Sequence, residues 1–473
     1  MPNPPSDLAH AFHELRERTT RKASSAWFRE KRQEIENLTP YSPDRGRERL
    51  DHLLTTAVRR VPYYRALHGR ERLGLGDFPL TRKEDLSAHG LDFISRDATG
   101  LMEPGRFFLA RTSGSTGQPV TLLSTAGTGS LSNQVIRERF SAHLGLPDTG
   151  TVLNLGLLFP GTQLLEPMML PRPYIKCNLR GYDPDAPDIV ADYEAVVGRF
   201  PVDAITGSSS RVIALARFCL SRGITLRPHG VVAGHEHMPD SGRRIIEEAF
   251  GTPVTMLYAT SETGYAAYEC GRRRMHFQDD LVLPEIAPAG DGATGAEATG
   301  DEPARDRATG DEPTGDDAVG AVVLTSLLST PMPIIRYLTG DLAPRPTTCD
   351  CGLPGTVTDA LQGRARSSLV GLDGTLYSPY ALLAALAEAG LPDFQVVQHE
   401  PGTLDLVTVG PAEAAEACVR DVNRRLDAHF GARQGFRLCH RPRHPFRFTA
   451  SGKRNPVVQH LPLPDSPERS AYL

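Results

Sequence analysis

Predicted helices and strands alternate along the chain between residues 131 and 258, and this alternation most constrains the fold. Four apolar runs typical of buried strands lie at residues 151–159, 202–207, 231–233 and 254–258. Segments with apolar residues at helical spacing precede or separate them, at residues 131–143, 208–219 and 241–250. This order is typical of α/β proteins, so we predict a mainly parallel sheet covered by helices on both faces.

The 473-residue chain is long enough for more than one domain. Residues 288–319 are acidic, rich in Gly and Ala, and nearly free of large apolar side chains. Such a segment cannot bury enough surface to offset the conformational entropy lost on ordering, so we predict a disordered surface insertion. The alternative is that the acidic segment has a function of its own. We predict a large N-terminal domain at residues 1–363 and a small α+β domain at residues 364–473.

The first ninety residues carry helical patterns and no recognisable chemistry. We predict helices at residues 9–37 and 46–67, where apolar residues recur on one face. Thr81 and Glu84 have the spacing of a capping box, so Thr81 is predicted to cap a further helix.

Charge and hydropathy exclude several classes of function. The net charge is -5 and the arginines are scattered, so nothing indicates a nucleic-acid partner. No apolar run approaches the roughly 18 residues of a membrane span. The first residues lack the charged start and apolar core of a secretion signal, so we expect a cytoplasmic chain whose seven cysteines are reduced.

Residues 112–117 read Thr-Ser-Gly-Ser-Thr-Gly and lie between two apolar segments that are predicted to be strands. Glycines allow the backbone to approach a phosphate, and hydroxyl and N–H groups supply donors to its oxygens. The pattern therefore suits the β- and γ-phosphates of ATP. It is not a Walker loop, because the Gly-Lys-Ser/Thr ending and the following helix are absent. An ordinary turn is the alternative.

Three further stretches carry side chains that could complete a nucleotide site. Glu262 follows a predicted strand, where a carboxylate is well placed to hold Mg²⁺ against phosphates. Asp341 is predicted at the end of another strand, where it could accept two ribose hydroxyls. Lys453 lies near the C-terminus, where a mobile lysine could reach a reacting carboxylate. Each alone is more often a solvated or turn residue, but their order and spacing together are specific.

Together these motifs resemble the adenylate-forming superfamily of acyl-CoA synthetases, luciferases and peptide-synthetase adenylation domains, and most of all its phenylacetate-CoA ligase-like branch. The matching segments are residues 112–119, 233–236, 258–264, 337–341, 363–364 and 452–453. The sequence departs from the family at Ala259, where glycine is common, at Ser261, where threonine is common, and at Leu338, where arginine is common. The resemblance covers residues 50 to 460.

The resemblance implies a two-step reaction and assigns a role to each motif. A carboxylate attacks the α-phosphate of ATP to give an acyl-adenylate and pyrophosphate, and a thiol, commonly of CoA, then takes the acyl group. The implied catalytic residues are Lys453, Glu262, which would bind Mg²⁺, and Thr116. The implied nucleotide-binding residues are Ser113, Gly114, Ser115, Thr116, Gly117, Tyr258, Ala259, Thr260, Ser261, Asp341 and Arg364.

The acyl pocket is predicted to be mainly apolar, which suits an aryl or otherwise hydrophobic acid. Its implied substrate-binding residues are Phe159, Ser208, Ala233, Gly234, His235 and Tyr258. The small C-terminal domain of the family rotates between the two half-reactions. Arg366 stands at the expected hinge, where the family often has an acidic residue, and this puts the usual geometry of the second step in doubt.

Three of the seven cysteines, together with one histidine, suggest a metal site. Cys270 and His276 are followed much later by Cys349 and Cys351, and three thiols with one imidazole form a complete tetrahedral set for Zn²⁺. Such a zinc ion would be structural, because no ligand position is left open. A similar pattern is familiar from the phenylacetate-CoA ligase-like branch, and unrelated free cysteines are the alternative.

We therefore predict an AMP-forming acid–CoA ligase that uses ATP, Mg²⁺ and CoA, with a small carboxylic acid as its substrate. Transfer of the acyl group to a carrier-protein thiol, an amine or another nucleophile is one alternative. A non-catalytic nucleotide-binding protein of the same fold is a second. No nucleic acid or membrane is expected as a partner. The sequence does not decide whether the protein forms a homodimer.

Overall fold

The structure is a computed structural model. It describes residues 8–69, 73–96, 98, 107–111, 120–125, 128–156, 162–182, 186–235, 238, 240–288, 319–328, 331–359, 361, 363–364, 369–372, 376–377, 379, 382, 385–386, 389, 391, 394–408, 412–430, 436–441, 445–447 and 457–461. The predicted acidic insertion lies outside these residues except for positions 288 and 319, which end one strand and begin the next.

The helices match most of the predicted positions. They are α1 (Leu8–Ala23), α2 (Ala26–Leu38), α3 (Pro43–Arg60), α4 (Lys83–Ala88), α5 (Thr128–His143), α6 (Pro187–Val196), α7 (Ser209–Arg222), α8 (Asp240–Phe250) and α9 (Ala412–Phe430), with short 3-10 helices at Pro62–Leu67, Leu75–Asp77 and Gly90–Phe93. Among the described residues, none of these is both long and apolar enough to cross a membrane.

Two helices are shorter than predicted because local chemistry interrupts them. The predicted helix at residues 9–37 is divided between α1 and α2, where the Ser25 side chain accepts a hydrogen bond from Phe28 N–H and starts a new helix. The predicted helix at residues 46–67 leaves the α conformation at Val61, since the following Pro62 disfavours it.

The predicted capping box at Thr81 and Glu84 is wrong. Helix α4 is capped one residue later, where Arg82 N–H donates to the Asp85 carboxylate over 2.7 Å. Thr81 is instead buried, and its hydroxyl donates to Ile335 O over 2.7 Å. It forms a bridge beside Tyr337, a tertiary contact that the local spacing could not reveal.

A nine-stranded sheet forms the centre of the molecule, in the order β14–β10–β9–β8–β7–β6–β3–β5–β4. Its strands are β3 (Gly150–Leu155), β4 (Leu165–Met168), β5 (Tyr174–Asn178), β6 (Ala204–Ser208), β7 (Gly230–Gly234), β8 (Val254–Thr260), β9 (Gly264–Glu269), β10 (Met275–Phe277) and β14 (Val357–Thr358). The predicted strands β3, β6, β7 and β8 are parallel, as expected, and β5, which the sequence analysis did not predict, joins them in the same direction. The flanking strands are antiparallel, so the prediction of a mainly parallel sheet holds only for its centre.

Helices cover both faces of this sheet. Helices α6, α7 and α8 pack on one face, where Tyr193, Phe218 and Phe250 are fully buried. Helix α5 packs on the other face, where Val135 and Ile136 join the same core cluster as Val232 of β7.

A second, antiparallel sheet follows in the order β11–β12–β13–β15. Its strands are β11 (Val282–Pro288), β12 (Val319–Ser326), β13 (Tyr337–Pro344) and β15 (Gly363–Arg364). Earlier in the chain, β1 (Phe107–Arg111) and β2 (Thr121–Thr125) form a separate antiparallel pair on either side of residues 112–119. This pair matches the strand–loop–strand arrangement that the sequence predicts.

Residues from 369 onward build a core of their own, in which Leu369, Val396, Leu404 and Val422 are fully buried. Its sheet has the order β20–β19–β18–β21, with β18 (Phe394–Glu400), β19 (Thr403–Thr408), β20 (Arg437–His440) and β21 (Val457–Gln459), and β16 (Leu369–Val370) pairs with β17 (Leu376–Tyr377). The domain boundary near residue 364 stays a prediction.

Strand β21 is an edge strand of this sheet and lies near the C-terminal end of the described residues. It runs parallel to β18, with Val457 beside Val396. Just before residues 448–456, Arg447 exchanges backbone hydrogen bonds of 2.7 and 2.8 Å with the Gln395 side chain of the same strand. Both ends of the segment that contains Lys453 are therefore attached to β18.

A buried arginine joins the N-terminal helices to both large sheets. Arg139 of α5 donates to the Asp280 carboxylate over 2.7 and 2.8 Å and to Gln278 over 2.9 Å. Its remaining donors bind the carbonyls of Leu38 and Thr39 at the end of α2. The Arg139 and Asp280 side chains are 6% and 0% exposed. All five guanidinium N–H groups thus have partners in the interior.

We expect Asp280→Ala to destabilise the fold by about 3–5 kcal/mol, because it leaves a buried guanidinium without its counter-charge. The matched control is Asp44→Ala, which removes an exposed carboxylate paired with Arg47 and should change stability by less than about 0.5 kcal/mol. Urea unfolding of both variants measures the difference. Equal stabilities for the two variants would contradict the role given to Asp280.

Candidate functional site

The turn that carries Glu262 follows directly on β8, at the carboxyl edge of the parallel strands. The Thr260 hydroxyl accepts a hydrogen bond from Thr263 N–H over 3.0 Å, and the two threonine hydroxyls lie 2.9 Å apart. Ser261 is exposed and Glu262 is half-buried. Glu262 therefore stands on a hydrogen-bonded turn, where its carboxylate can reach a ligand at the strand ends.

Helix α5 holds this turn from the other side. The Asn133 side-chain oxygen accepts a hydrogen bond from Tyr265 N–H over 2.7 Å. Gly264 has φ +79°, and a Cβ on it would lie 2.4 Å from the same oxygen, so only glycine fits. The sequence reading missed Asn133, since nothing in its local pattern distinguishes it from an ordinary helix residue.

A direct hydrogen bond joins two of the predicted motifs. The Tyr258 hydroxyl on β8 donates to the Asp341 carboxylate on β13 over 2.8 Å. The two residues come from different sheets, and Ala259 lies next to Tyr258 at a β-bulge between β8 and β9. The structure thus brings the predicted nucleotide residues of the two sheets together.

Asp341 lies inside β13, so the prediction that it ends a strand is wrong. The pairing of β13 with β12 shifts register around Val322, and Gly340 has φ +79°. Within the shift, the Thr339 hydroxyl donates to Val322 O over 2.9 Å and accepts from Asp341 N–H over 3.1 Å. This bulge sets the direction of Asp341 by local hydrogen bonds, and the strand continues beyond it. Arg364 of β15 is in register with Asp341.

The predicted substrate residues divide between the sheet edge and the core. Ser208 and Gly234 are neighbours in register at the ends of β6 and β7. His235 follows Gly234, is exposed and has φ +65°, an uncommon backbone conformation outside glycine. Ala233 is 0% exposed within the core under α7 and α8, so its methyl group faces away from Ser208.

Several predicted site residues lie outside the described part of the chain. They are Ser113, Gly114, Ser115, Thr116, Gly117, Phe159 and Lys453. Their roles stay predictions.

The four predicted metal ligands form one cluster. The ligand atoms of Cys270, His276, Cys349 and Cys351 all lie within 4.8 Å of one another. The sulfur atoms of Cys270 and Cys349 are 3.8 Å apart, and the Cys351 sulfur lies 3.3 Å from His276 Nε2. The first two ligands flank the β9–β10 hairpin, and the cysteines at 349 and 351 come from the loop between β13 and β14.

The surroundings of the cluster suit metal ligation. Burial lowers the pKa of the His276 imidazole, which keeps the ring neutral. His276 Nδ1 lies 3.2 Å from Pro354 O, a contact that places the proton on Nδ1 and leaves the Nε2 lone pair for a metal. The backbone N–H groups of Arg272 and Leu353 point at the sulfurs of Cys270 and Cys351 over 3.3 and 3.4 Å, as donors do around thiolates.

The chain is similar to known acyl-CoA ligases in sequence and in fold. Phenylacetate-coenzyme A ligase of Thermus thermophilus is 25% identical over 411 residues, which cover 80% of this chain and 83% of that protein. A structure of 2-hydroxyisobutyryl-CoA ligase in the postadenylation state, in complex with R3-HIB-AMP, matches with a TM-score of 0.60 at 17% identity, covering 87% of this chain and 88% of that one. An open conformation of that ligase, in complex with 2-HIB-AMP and CoA, matches with a TM-score of 0.51 at 17% identity over 86% and 90% of the two chains. No protein-family model matches the chain.

The fold is therefore that of 2-hydroxyisobutyryl-CoA ligase, and the predicted α/β class is confirmed. The sequence similarity to the Thermus thermophilus protein confirms the predicted resemblance to the phenylacetate-CoA ligase-like branch.

We expect Gly264→Ala to destabilise the protein by about 2 kcal/mol, because the new methyl group is strained at positive φ and collides with Asn133. Gly271→Ala is the matched control, since no atom lies within 4 Å of its added Cβ. Thermal and urea unfolding of both variants test this. The explanation is wrong if Gly264→Ala is as stable as Gly271→Ala.

Proposed function

We propose that this protein is an AMP-forming ligase that activates a carboxylic acid with ATP. An oxygen of the substrate carboxylate attacks the α-phosphorus of ATP, a new P–O bond forms, and the bond to the β-phosphate breaks to release pyrophosphate. A thiolate then attacks the carbonyl carbon of the acyl-adenylate, and AMP leaves. Two anions must meet in the first step, so the site has to supply cationic and N–H groups that stabilise the developing charge.

The observation that carries this proposal is the hydrogen bond between Tyr258 and Asp341 beside the Glu262 turn. It joins two sequence motifs that are 83 residues apart, at the carboxyl edge where open α/β sheets bind ligands. In our assignment Asp341, oriented by Tyr258 and the β13 bulge, accepts hydrogen bonds from the ribose hydroxyls, and Arg364 donates to the ribose oxygens. Glu262 holds Mg²⁺, which neutralises the phosphate charge when bound.

The remaining assignments rest on the sequence resemblance. The residues at 113–117 would bind the phosphates through hydroxyl and N–H groups, and Thr116 is assigned a catalytic role. Lys453 would bridge the carboxylate and the α-phosphate oxygens. The acyl group would lie beside Ser208, Gly234 and His235 and extend toward Phe159.

CoA is the acceptor that we favour. The similar protein of Thermus thermophilus is a phenylacetate-coenzyme A ligase, and one structure with a matching fold holds CoA beside an acyl-AMP. An acceptor on a carrier protein, or an amine, stays the second candidate because Arg366 stands at the expected hinge.

The first experiment is pyrophosphate release from ATP and Mg²⁺ across a panel of aryl and alkyl carboxylic acids, with and without CoA. We expect acid-dependent release and a CoA thioester product. Release without a thioester would support another acceptor. ATP binding without release, for every acid in the panel, would overturn the proposed reaction and favour the non-catalytic alternative.

We expect Lys453→Ala to lower pyrophosphate release about a hundredfold or more, because it removes a cation that stabilises the transition state. Folding and ATP binding should be nearly unchanged. Lys31→Ala, which removes a cation paired with Glu34 on α2, is the control and should keep its activity. Undiminished release by Lys453→Ala would remove the catalytic assignment.

We further propose that Cys270, His276, Cys349 and Cys351 hold a structural Zn²⁺. The donor set fits, because three thiolates and a neutral imidazole fill all four tetrahedral positions. The bound ion would cross-link the β9–β10 hairpin to the loop before β14. Because β9 pairs with both β8 and β10, this cross-link and the Glu262 turn lie at opposite ends of the same strand.

We expect purified protein to contain about one zinc ion per chain, and Cys351→Ser to lose most of it with a lower unfolding temperature. Cys439→Ala is the control, since this half-buried cysteine lies outside the cluster and its loss should leave the metal content unchanged. Metal analysis and thermal unfolding give the result without an activity assay. Metal-free wild-type protein, purified without chelators, would count against the site.

A further inference from the structure

A row of polar side chains crosses the centre of the large sheet near the predicted acyl pocket. Asn154 of β3 is in register with Asn178 of β5 on one side and with Thr206 of β6 on the other. Ser208 lies two residues beyond Thr206, so it faces the same side of the sheet. This polar row consists of Asn178, Asn154, Thr206 and Ser208.

The polar row is on the face that α5 covers. Thr206 is in register with Val232, which packs against Val135 and Ile136 of α5. The alternating residues Leu153, Leu155 and Ile205 are buried in the core on the opposite face. Asn154 and Thr206 are only half-buried although their strands are central, so space remains above them.

The hydrogen bonds along the row have a fixed direction. The Asn178 amide donates to Gln163 O over 2.9 Å and to the Glu166 carboxylate over 3.0 Å, and both of these groups can only accept. Asn178 must therefore present its oxygen to Asn154, whose amide donates to it over 2.7 Å.

This direction determines what Thr206 can offer to a ligand. Asn154 has turned its nitrogen to Asn178, so its oxygen faces Thr206, whose hydroxyl donates to it over 3.3 Å. The single proton of the Thr206 hydroxyl is then in use. Toward the space above the sheet, the hydroxyl oxygen can therefore only accept a hydrogen bond, through a lone pair.

Ser208 adds a buried hydroxyl without a hydrogen-bond partner among the residues that the structure describes. The residue is 5% exposed, and its Oγ bonds to no atom of those residues. It also does not cap α7, although it directly precedes that helix. Its neighbour in register on β7 is Gly234, which has no side chain that could supply a hydrogen-bond partner. A buried hydroxyl without a partner is costly unless a ligand supplies one.

We propose that the acyl group of the substrate carries a hydroxyl or amino group that donates a hydrogen bond to Thr206 Oγ1 and lies beside Ser208 Oγ, which can donate to a hydroxyl oxygen or accept from a second amino proton. This inference rests on the proposed function and narrows its substrate class from a hydrophobic acid to a hydrophobic acid with one hydrogen-bond donor. Thr206 and Ser208 determine specificity for that donor, and the chain from Glu166 through Asn178 and Asn154 orients Thr206.

The test compares acids that differ in a single ring substituent. Hydroxy- and amino-substituted benzoates and phenylacetates are compared with the methyl isosteres, which cannot hydrogen-bond, and with the methoxy analogues, which can only accept. The quantity measured is the ratio of kcat/KM, by pyrophosphate release, between the donor-bearing acid and its methyl isostere. We expect the wild-type enzyme to favour the donor acid about tenfold or more at one ring position.

Two variants test whether Thr206 and Ser208 produce the preference for the donor-bearing acid. Thr206→Val and Ser208→Ala should each lower the ratio of kcat/KM about tenfold. The control is Ser221→Ala, which should leave the ratio unchanged because the Ser221 hydroxyl lies at the other end of α7 and donates to Phe218 O. Unfolding without substrate gives a second readout. Ser208→Ala should be at least as stable as wild type, since it removes a hydroxyl that has no partner among the described residues.

The outcomes distinguish this inference from the reaction on which it rests. If acids are activated but the methyl or methoxy acids are used as well as the donor acids, the proposed function stands and the inference is wrong. It is also wrong if both variants keep the wild-type ratio, or if Ser208→Ala is clearly destabilised. If no acid in the panel promotes pyrophosphate release, the proposed function itself fails, and the inference with it.

Discussion

The ion pair between Arg139 and Asp280 is the interaction on which the arrangement of the large sheets depends. The Arg139 guanidinium, which is carried by α5, binds both the end of α2 and the loop between β10 and β11. The same helix carries Asn133, which holds the backbone beside the Glu262 turn. A buried charge is stable only while all its partners stay in place, so this pair fixes α5 against the sheet and, through it, the position of the turn.

The candidate site is assembled from strand ends and bulges rather than from a single loop. Tyr258 comes from the central sheet and Asp341 from the neighbouring antiparallel sheet, and their hydrogen bond spans the junction. On the other side of β8, the β9–β10 hairpin leads to the cluster of three cysteines and one histidine. The site is thus supported by rigid elements on both sides, which favours the fixed geometry that charge stabilisation requires.

The sequence predicts features that depend on local pattern and misses those that depend on distant contacts. The parallel strands β3, β6, β7 and β8 and the cluster of Cys270, His276, Cys349 and Cys351 could be predicted, because apolar periodicity and the types of metal-ligating residue can be recognised within short segments. The bulge that places Asp341 inside β13 could not, since it depends on a hydrogen bond from Thr339 to Val322. The burial of Thr81 and the polar row beside Ser208 have the same origin, because their partners lie on other strands.

The attachment of both ends of residues 448–456 to β18 has a mechanical consequence. Arg447 bonds to Gln395 and Val457 is in register with Val396, so the two attachment points lie at neighbouring positions of one strand. Both points therefore move together with the sheet of β18 to β21. A displacement of this small sheet carries the two attachment points with it as a single body.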